Sequence, residues 1–248
     1  MPFLLPPNLR ITWFGHSTFV VETPNGKRIL IDPWVTNNPA CPPHKKDVGP
    51  VDLMLVTHGH FDHIEDAVPI ARATGCQVIG IFETAAWLMN KGVDEKNVAP
   101  MNKGGTLHLP DLNLSVTMVH ADHSCGIKDG DQILYGGEAV GYVVTLDGGG
   151  FTFYHAGDTA VFSDMALIAD LYQPTLAFLP IGDRFVMSPR EAARAASFLS
   201  TSVEAVVPMH FGTFPLLTGT PEAFGDELAK AGVTVELLTM TPGQTLGT

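Results

Sequence analysis

Four potential metal ligands fall within six residues in Thr57-His58-Gly59-His60-Phe61-Asp62-His63, directly after the apolar run Leu53-Met54-Leu55-Val56. The apolar run reads as a buried strand, and helical patterning follows from Ile64 to Thr74, with Gly75 as its stop. A strand that ends in a tight loop aims His58 and His60 at one point. The start of the next helix then turns Asp62 and His63 toward a neighbouring point. Imidazole and carboxylate together suit zinc and, with more oxygen, manganese or iron.

Around this loop the pattern is layered. Strands are predicted at Leu9 to Phe14, Thr18 to Thr23 and Arg28 to Asp32, the last two joined by the turn Pro24-Asn25-Gly26-Lys27. A strand at Gln77 to Ile81 and a helix from Glu83 to Lys91, ended by Gly92, continue the first half. Strands return at Leu112 to Val119, Gly141 to Leu146 and Phe151 to His155, the last pair joined across Asp147-Gly148-Gly149-Gly150. The rest alternates: a helix at Ser163 to Tyr172, a strand at Leu176 to Ile181, and a helix opened by the capping box Ser188-Pro189-Arg190-Glu191. A strand at Ala205 to Met209, a helix begun by Thr220-Pro221 and closed by Gly232, and a strand at Thr234 to Met240 complete it. Each half opens with a β-meander and ends in α/β units, which predicts two similar halves whose sheets pack face to face. With 248 residues, 45% apolar and 16% charged, the chain is read as one domain spanning 1–248.

The formal charge of −12 is spread along the chain, and Lys and Arg nowhere form a run of three, which weighs against a nucleic-acid partner. Cys41, Cys76 and Cys125 have no C-x-x-C spacing and an odd count, which fits a reducing compartment. The opening MPFLLPPNLR has too short an apolar stretch for a signal core, and no segment approaches the about 18 apolar residues of a membrane span. These features place the protein in the cytoplasm, with no membrane partner; the apolar content permits a homo-oligomer.

The H-x-H-x-D-H pattern resembles that of the metallo-β-lactamase superfamily, and the resemblance runs over nearly the whole chain. It is closest to a branch of small metal-dependent hydrolases related to the ascorbate-6-phosphate lactonase group. Trp13-Phe14-Gly15-His16-Ser17, Leu30-Ile31-Asp32-Pro33, His120-Ala121-Asp122-His123-Ser124, Ala156-Gly157-Asp158-Thr159 and Pro208-Met209-His210-Phe211 carry it in order and spacing. The resemblance implies a four-layer αββα sandwich of two mixed sheets flanked by helices. It also implies two divalent metal ions, zinc first and manganese, iron or nickel as alternatives. Carried over by position, His58, His60 and His123 bind one ion, Asp62, His63 and His210 bind the other, and Asp158 bridges them. His120 is the alternative to His123, since both lie at the end of one strand.

The implied activity is hydrolysis of an ester, lactone, amide or phosphoester of a small molecule by a metal-bridging hydroxide, with Asp62 taking or relaying a proton. His16 is expected to line the cleft as a second catalytic residue, and Asp32 to orient a ligand histidine. His155 is expected to buttress the turn that carries Asp158, while His44 and His108 are read as surface loop residues. Arg184 is weighed as an anion-holding cation against a surface arginine. Cys125 is assigned to packing. A phosphodiesterase or nuclease is the alternative hydrolase. Two further alternatives are a di-iron redox protein, whose relatives carry glutamate where His60 stands, and a binding protein that keeps its metals without turnover.

Overall fold

The computed structural model describes residues 2–147 and 150–247. The first half builds β1 (Arg10–Gly15), β2 (Thr18–Glu22), β3 (Arg28–Ile31), β4 (Leu53–Leu55), β5 (Gln77–Ile81) and β6 (Val98–Met101). Its helices are α1 (Phe61–Ile64), α2 (Ala67–Thr74) and α3 (Phe82–Asn90). The second half builds β7 (Thr106–Leu109), β8 (Leu114–His120), the hairpin β9 (Gly126–Asp129) and β10 (Gln132–Tyr135), β11 (Val140–Leu146) and β12 (Thr152–His155). Then come α4 (Met165–Tyr172), β13 (Leu176–Pro180), α5 (Pro189–Leu199), β14 (Ala205–Met209), α6 (Pro221–Ala231), β15 (Glu236–Leu237) and β16 (Thr245–Leu246).

Two seven-stranded mixed sheets result, in the orders β16-β1-β2-β3-β4-β5-β6 and β15-β14-β13-β12-β11-β8-β7. Each runs antiparallel through its meander and parallel through its later strands, as the two-halves pattern predicts. Alternation along the first sheet divides its side chains. Ile29, Ile31, Leu53 and Leu55 face the second sheet in one core, while Leu30, Met54 and Val56 pack on the other face against Ala67, Ala71, Ala85 and Leu88 of α2 and α3. Helices α4, α5 and α6 cover the outer face of the second sheet. There the alanines 192, 193, 195 and 196 let α5 approach closely. The layers are therefore α, β, β, α, the expected sandwich.

Local signals act where they were read. Ser188 Oγ accepts from the Glu191 amide at 3.4 Å while the Glu191 carboxylate accepts from the Ser188 amide at 2.9 Å. Thr220 Oγ1 accepts from the Ala223 amide at 3.2 Å. Four expectations need correction. The helix expected over Ile64 to Thr74 is two, α1 and α2, because the Asp66 carboxylate is engaged outside the helix, accepting from the amides of Val35 and Thr36 at 2.6 and 2.9 Å. The strand expected over Thr234 to Met240 pairs only at Glu236–Leu237, on the sheet edge. Strands β6, β7, β9, β10 and β16 lie in stretches to which the sequence pattern assigns no strand. His108 lies on β7 instead of a loop, though exposed as expected. Of the turn predicted at Asp147 to Gly150, Gly148 and Gly149 lie outside the described residues, but β11 and β12 do pair antiparallel. Among the described residues no helix is long and apolar enough to cross a membrane.

Candidate metal centre

The strand ends of both sheets converge on one cluster. At the end of β4, the Thr57 amide and hydroxyl donate to the Asp32 carboxylate at 2.8 and 2.7 Å, which pins the start of the histidine loop to the end of β3. His58 and His60 follow, His60 capping α1, so that Asp62 and His63 occupy its first turn. From the second sheet come His123 beyond β8, Asp158 beyond β12 and His210 beyond β14. Gly182 fits beside His210 only because it lacks a side chain: a Cβ there would lie 2.1 Å from the His210 carbonyl oxygen. His16, Asp32 and His210 hold left-handed backbones, with φ of 58°, 49° and 56°. Strain of this kind costs about 1–3 kcal/mol per residue and persists where surrounding contacts enforce it.

Two groups of donors form. His58 Nε2 and His123 Nε2 lie 3.0 and 3.3 Å from His60 Nδ1. His16, Asp62, His63 and His210 form the second group, each offering a ligand atom within 4.8 Å of the others. Asp158 stands between them, its Oδ2 lying 3.0 Å from His210 Nε2, 3.3 Å from His63 Nε2, 3.7 Å from His123 Nε2 and 3.9 Å from His58 Nε2. His63 Nε2, His210 Nε2 and Asp158 Oδ1 are buried and have no hydrogen-bond partner among the described residues. Buried polar atoms are rarely left so. Imidazole nitrogens and carboxylate oxygens facing one another are the donor set a divalent transition ion satisfies, so the residues present fit the metal that the loop suggests.

Charge within the cluster is finely divided. Burial holds His58 well below the usual histidine range, and the neighbouring His63 adds to this. Burial acts the same way on His63, but the carboxylates of Asp158 and Asp32 outweigh it and hold His63 well above that range. Asp158 is lowered well below the carboxylate range: burial opposes its ionisation, but His210 and His63 prevail. His63 therefore sits between two carboxylates, those of Asp32 and Asp158. Asp32 Oδ2, 2.7 Å from His63 Nδ1, leaves the other ring nitrogen facing Asp158.

His16 is buried completely, behind Asp62 and away from the cleft wall. Burial first, then His210, pushes it down to about 3, so the ring is neutral. Its Nε2–H donates to Asp62 Oδ2 at 3.0 Å, which leaves Nδ1 to accept from the Thr213 hydroxyl at 3.0 Å. Of the two candidates at the end of β8, His123, just beyond it, enters the cluster, whereas His120, its last residue, is exposed and sits edge-on to Phe162. His155 Nδ1 accepts from the Gly157 amide at 3.2 Å, supporting the turn before Asp158. His44 is exposed. Arg184 lies over the Phe185 ring at 5.7 Å, and Phe185, not Arg184, lines the cleft. The Cys125 thiol is buried and raised by that burial; it accepts from the Gly59 amide at 3.3 Å and donates to the Gly136 carbonyl at 3.2 Å.

The cleft above the cluster is also walled by Lys128, Ile133 and Phe214, which the sequence analysis did not single out. A signal for the first two was present. Gly130-Asp131 between two short β-prone runs is a two-residue hairpin turn, and Gly130 takes φ of 60° there.

A two-sheet sandwich that gathers imidazoles and carboxylates at its strand ends is the build of a metallo-β-lactamase-type hydrolase. Residues 27–211 match the family model described as a Beta-lactamase superfamily domain. The UPF0173 metal-dependent hydrolase of Koribacter versatilis is 57% identical over 96% of this chain and 97% of its own, and that of Rubrobacter xylanophilus 51% over 96% of each. Among solved structures, Igni18, a metallo hydrolase from the archaeon Ignicoccus hospitalis, superposes with a TM-score of 0.82 at 36% identity, covering 96% of this chain and 97% of that one. The chain belongs to the UPF0173 family of metal-dependent hydrolases within the metallo-β-lactamase superfamily. It is accordingly a metal-dependent hydrolase.

Proposed function

We propose that the cluster holds two divalent ions, zinc the first candidate, and hydrolyses an ester, lactone, amide or phosphoester of a small molecule. His58, His60 and His123 would hold one ion, Asp62, His63 and His210 the other, with Asp158 shared. The observation that carries this reading is the position of Asp158, whose Oδ2 lies within 4 Å of imidazole nitrogens from both groups while its Oδ1 is buried without a partner. Bound there, the ions would acidify a water and draw charge from the substrate oxygen.

The protein's own residues then have separate tasks. Asp62 is mostly buried and faces the cleft; burial works against its ionisation, but the hydrogen bond from His16 holds its carboxyl below the usual carboxylate range, and we assign it the proton of the attacking water. His16 fixes the Asp62 carboxylate from behind through its Nε2–H, so we assign it a positioning role and not contact with substrate. Asp32 sets the tautomer of His63. Both halves act as one domain, since a single core joins the facing sheets. The raised Cys125 thiol supplies no nucleophile.

The test is metal analysis of the purified protein, followed by a hydrolysis panel of esters, lactones, amides and phosphodiesters with an Asp62→Ala control. Two bound ions and hydrolysis abolished in the variant are expected. Binding of fewer than two ions under saturating zinc or manganese overturns the binuclear reading, and an unaffected variant overturns the role of Asp62.

A further inference from the structure

The cleft over the cluster has a volume of about 660 Å³, ample for a small molecule. Phe61, Ile133, Phe185 and Phe214 supply hydrocarbon walls, and the first three stand 50%, 80% and 51% exposed around the opening. Large apolar side chains left open beside a reacting centre mark a surface that a ligand covers.

Among the described residues Lys128 is the one lysine or arginine lining this cleft. Among the described residues it makes no ion pair, unlike Lys27, Lys91, Lys96, Lys103 and Lys230. The neighbouring carboxylate, Asp129, is turned to α3, where it accepts from Lys91 Nζ at 2.7 Å and Trp87 Nε1 at 3.2 Å. The hairpin β9–β10 sets the direction of Lys128. It pairs with Ile133 across the two strands, so both side chains stand on the cleft face. On the opposite face Ile127 is buried against Gly59 of the histidine loop. Cys125, bonded to both Gly59 and Gly136, ties the base of the hairpin to that same loop. An ammonium is thus mounted on a hairpin tied to the loop that carries His58 and His60.

We propose that Lys128 is a specificity-determining residue that binds a single anionic group, a carboxylate, on an otherwise apolar substrate. The inference rests on the reading of the histidine and aspartate cluster as the reacting centre. Hydrocarbon walls suit the substrate body, and one ammonium matches one negative charge; among the described residues no second lysine or arginine lines the cleft to hold a distal dianion. In a chain of net charge −12, a local cation is also what brings an anion to this face.

Calorimetric titration of the zinc-loaded protein tests this without turnover. The probes are ω-carboxyalkyl hydroxamates of graded length, each compared with the alkyl hydroxamate lacking the carboxylate. The hydroxamate engages the ions, and the distal carboxylate reaches for Lys128. At the fitting length the carboxylate is expected to tighten binding about fivefold, as for a partly screened charge pair. K128R keeps the preference and K128M removes it; the side chain is exposed, so neither variant disturbs the core. Equal affinities at every length, or a preference that K128M leaves intact, overturn the assignment while the metal cleft stands. A failure of the zinc-loaded protein to bind any hydroxamate overturns both.

Discussion

The imidazole of His16 lies 3.8 Å, centroid to centroid, from that of His210, and the His210 amide donates to the His16 carbonyl at 3.0 Å. Both residues have left-handed backbones, one in the β1–β2 turn and the other just beyond β14. The contact therefore clasps the two sheets at the cluster, and one shared hydrogen bond ties the two strained residues together. Replacing His16 with Ala removes the ring that orients Asp62 and leaves the Thr213 hydroxyl only its longer bond to the Phe211 carbonyl at 3.4 Å. Hydrolysis is expected to fall by about 10- to 100-fold, in kcat more than in KM, as for loss of a group that positions a base. A steady-state comparison with His16→Gln, which keeps a side-chain donor, checks the role. Partial rescue is expected.

Asp32 serves three donors at once: the Thr57 amide, the Thr57 hydroxyl and His63 Nδ1. Asp32→Ala leaves these buried groups unmatched, at about 1–3 kcal/mol each, and should lower the unfolding midpoint sharply. Asp32→Asn tolerates the left-handed backbone and keeps an acceptor, so the fold should survive while zinc affinity falls by about 10- to 100-fold. Chelator competition and thermal melts on both variants separate the two effects.

Removing metal should destabilise the protein, because ions that bind only the folded state stabilise it by mass action. The gain is about 2.7 kcal/mol when free metal is a hundredfold above Kd. Melting with and without chelator is expected to show this difference in the native chain and a much smaller one in Asp158→Ala, where the carboxylate between the two histidine groups is gone.

The position of the hairpin can be tested by volume. A Cβ at Gly59 would lie 2.3 Å from Ile127 Cγ1, and Gly59 has no positive φ that alanine would strain. Gly59→Ala should cost about 1–3 kcal/mol by overpacking, and a double variant with Ile127→Ala should recover part of it. Additive losses in denaturant titrations would show that the two residues do not press on each other.

His155 predicts an acid dependence. Burial lowers it to about 4, so the folded chain binds fewer protons there than the unfolded chain, whose histidine titrates near 6.5. Stability is then intact above 6.5 and declines as pH falls toward about 4, by up to about 1.4 kcal/mol per pH unit from this group. His155→Phe, flanked by Phe19 and Phe178, should flatten that slope in urea titrations across the same window.

Much of the fold was legible because its signals are local. Alternating apolar residues mark the meander, and Ser188 with Glu191 marks the start of α5. The histidine loop announced its chemistry through spacing alone. What stayed hidden depends on contacts distant in sequence. Nothing near Glu65 and Asp66 shows that Asp66 is claimed by Val35 and Thr36, so the break between α1 and α2 could not be read. His16 carries no local mark of burial either; it is buried because Trp34, His210 and Phe214 close around it. Strands as short as β15 and β16 are defined by the neighbours they pair with, which a one-dimensional pattern does not contain.

Because Asp158 and His210 come from the second sheet while His58, Asp62 and His63 come from the first, the cluster cannot exist in either half alone. During synthesis the early histidine loop waits, its partners unmade, until the ribosome has passed His210. An ion captured before then meets an incomplete set of donors and can leave again. The full set of donors is therefore complete only once the two sheets close.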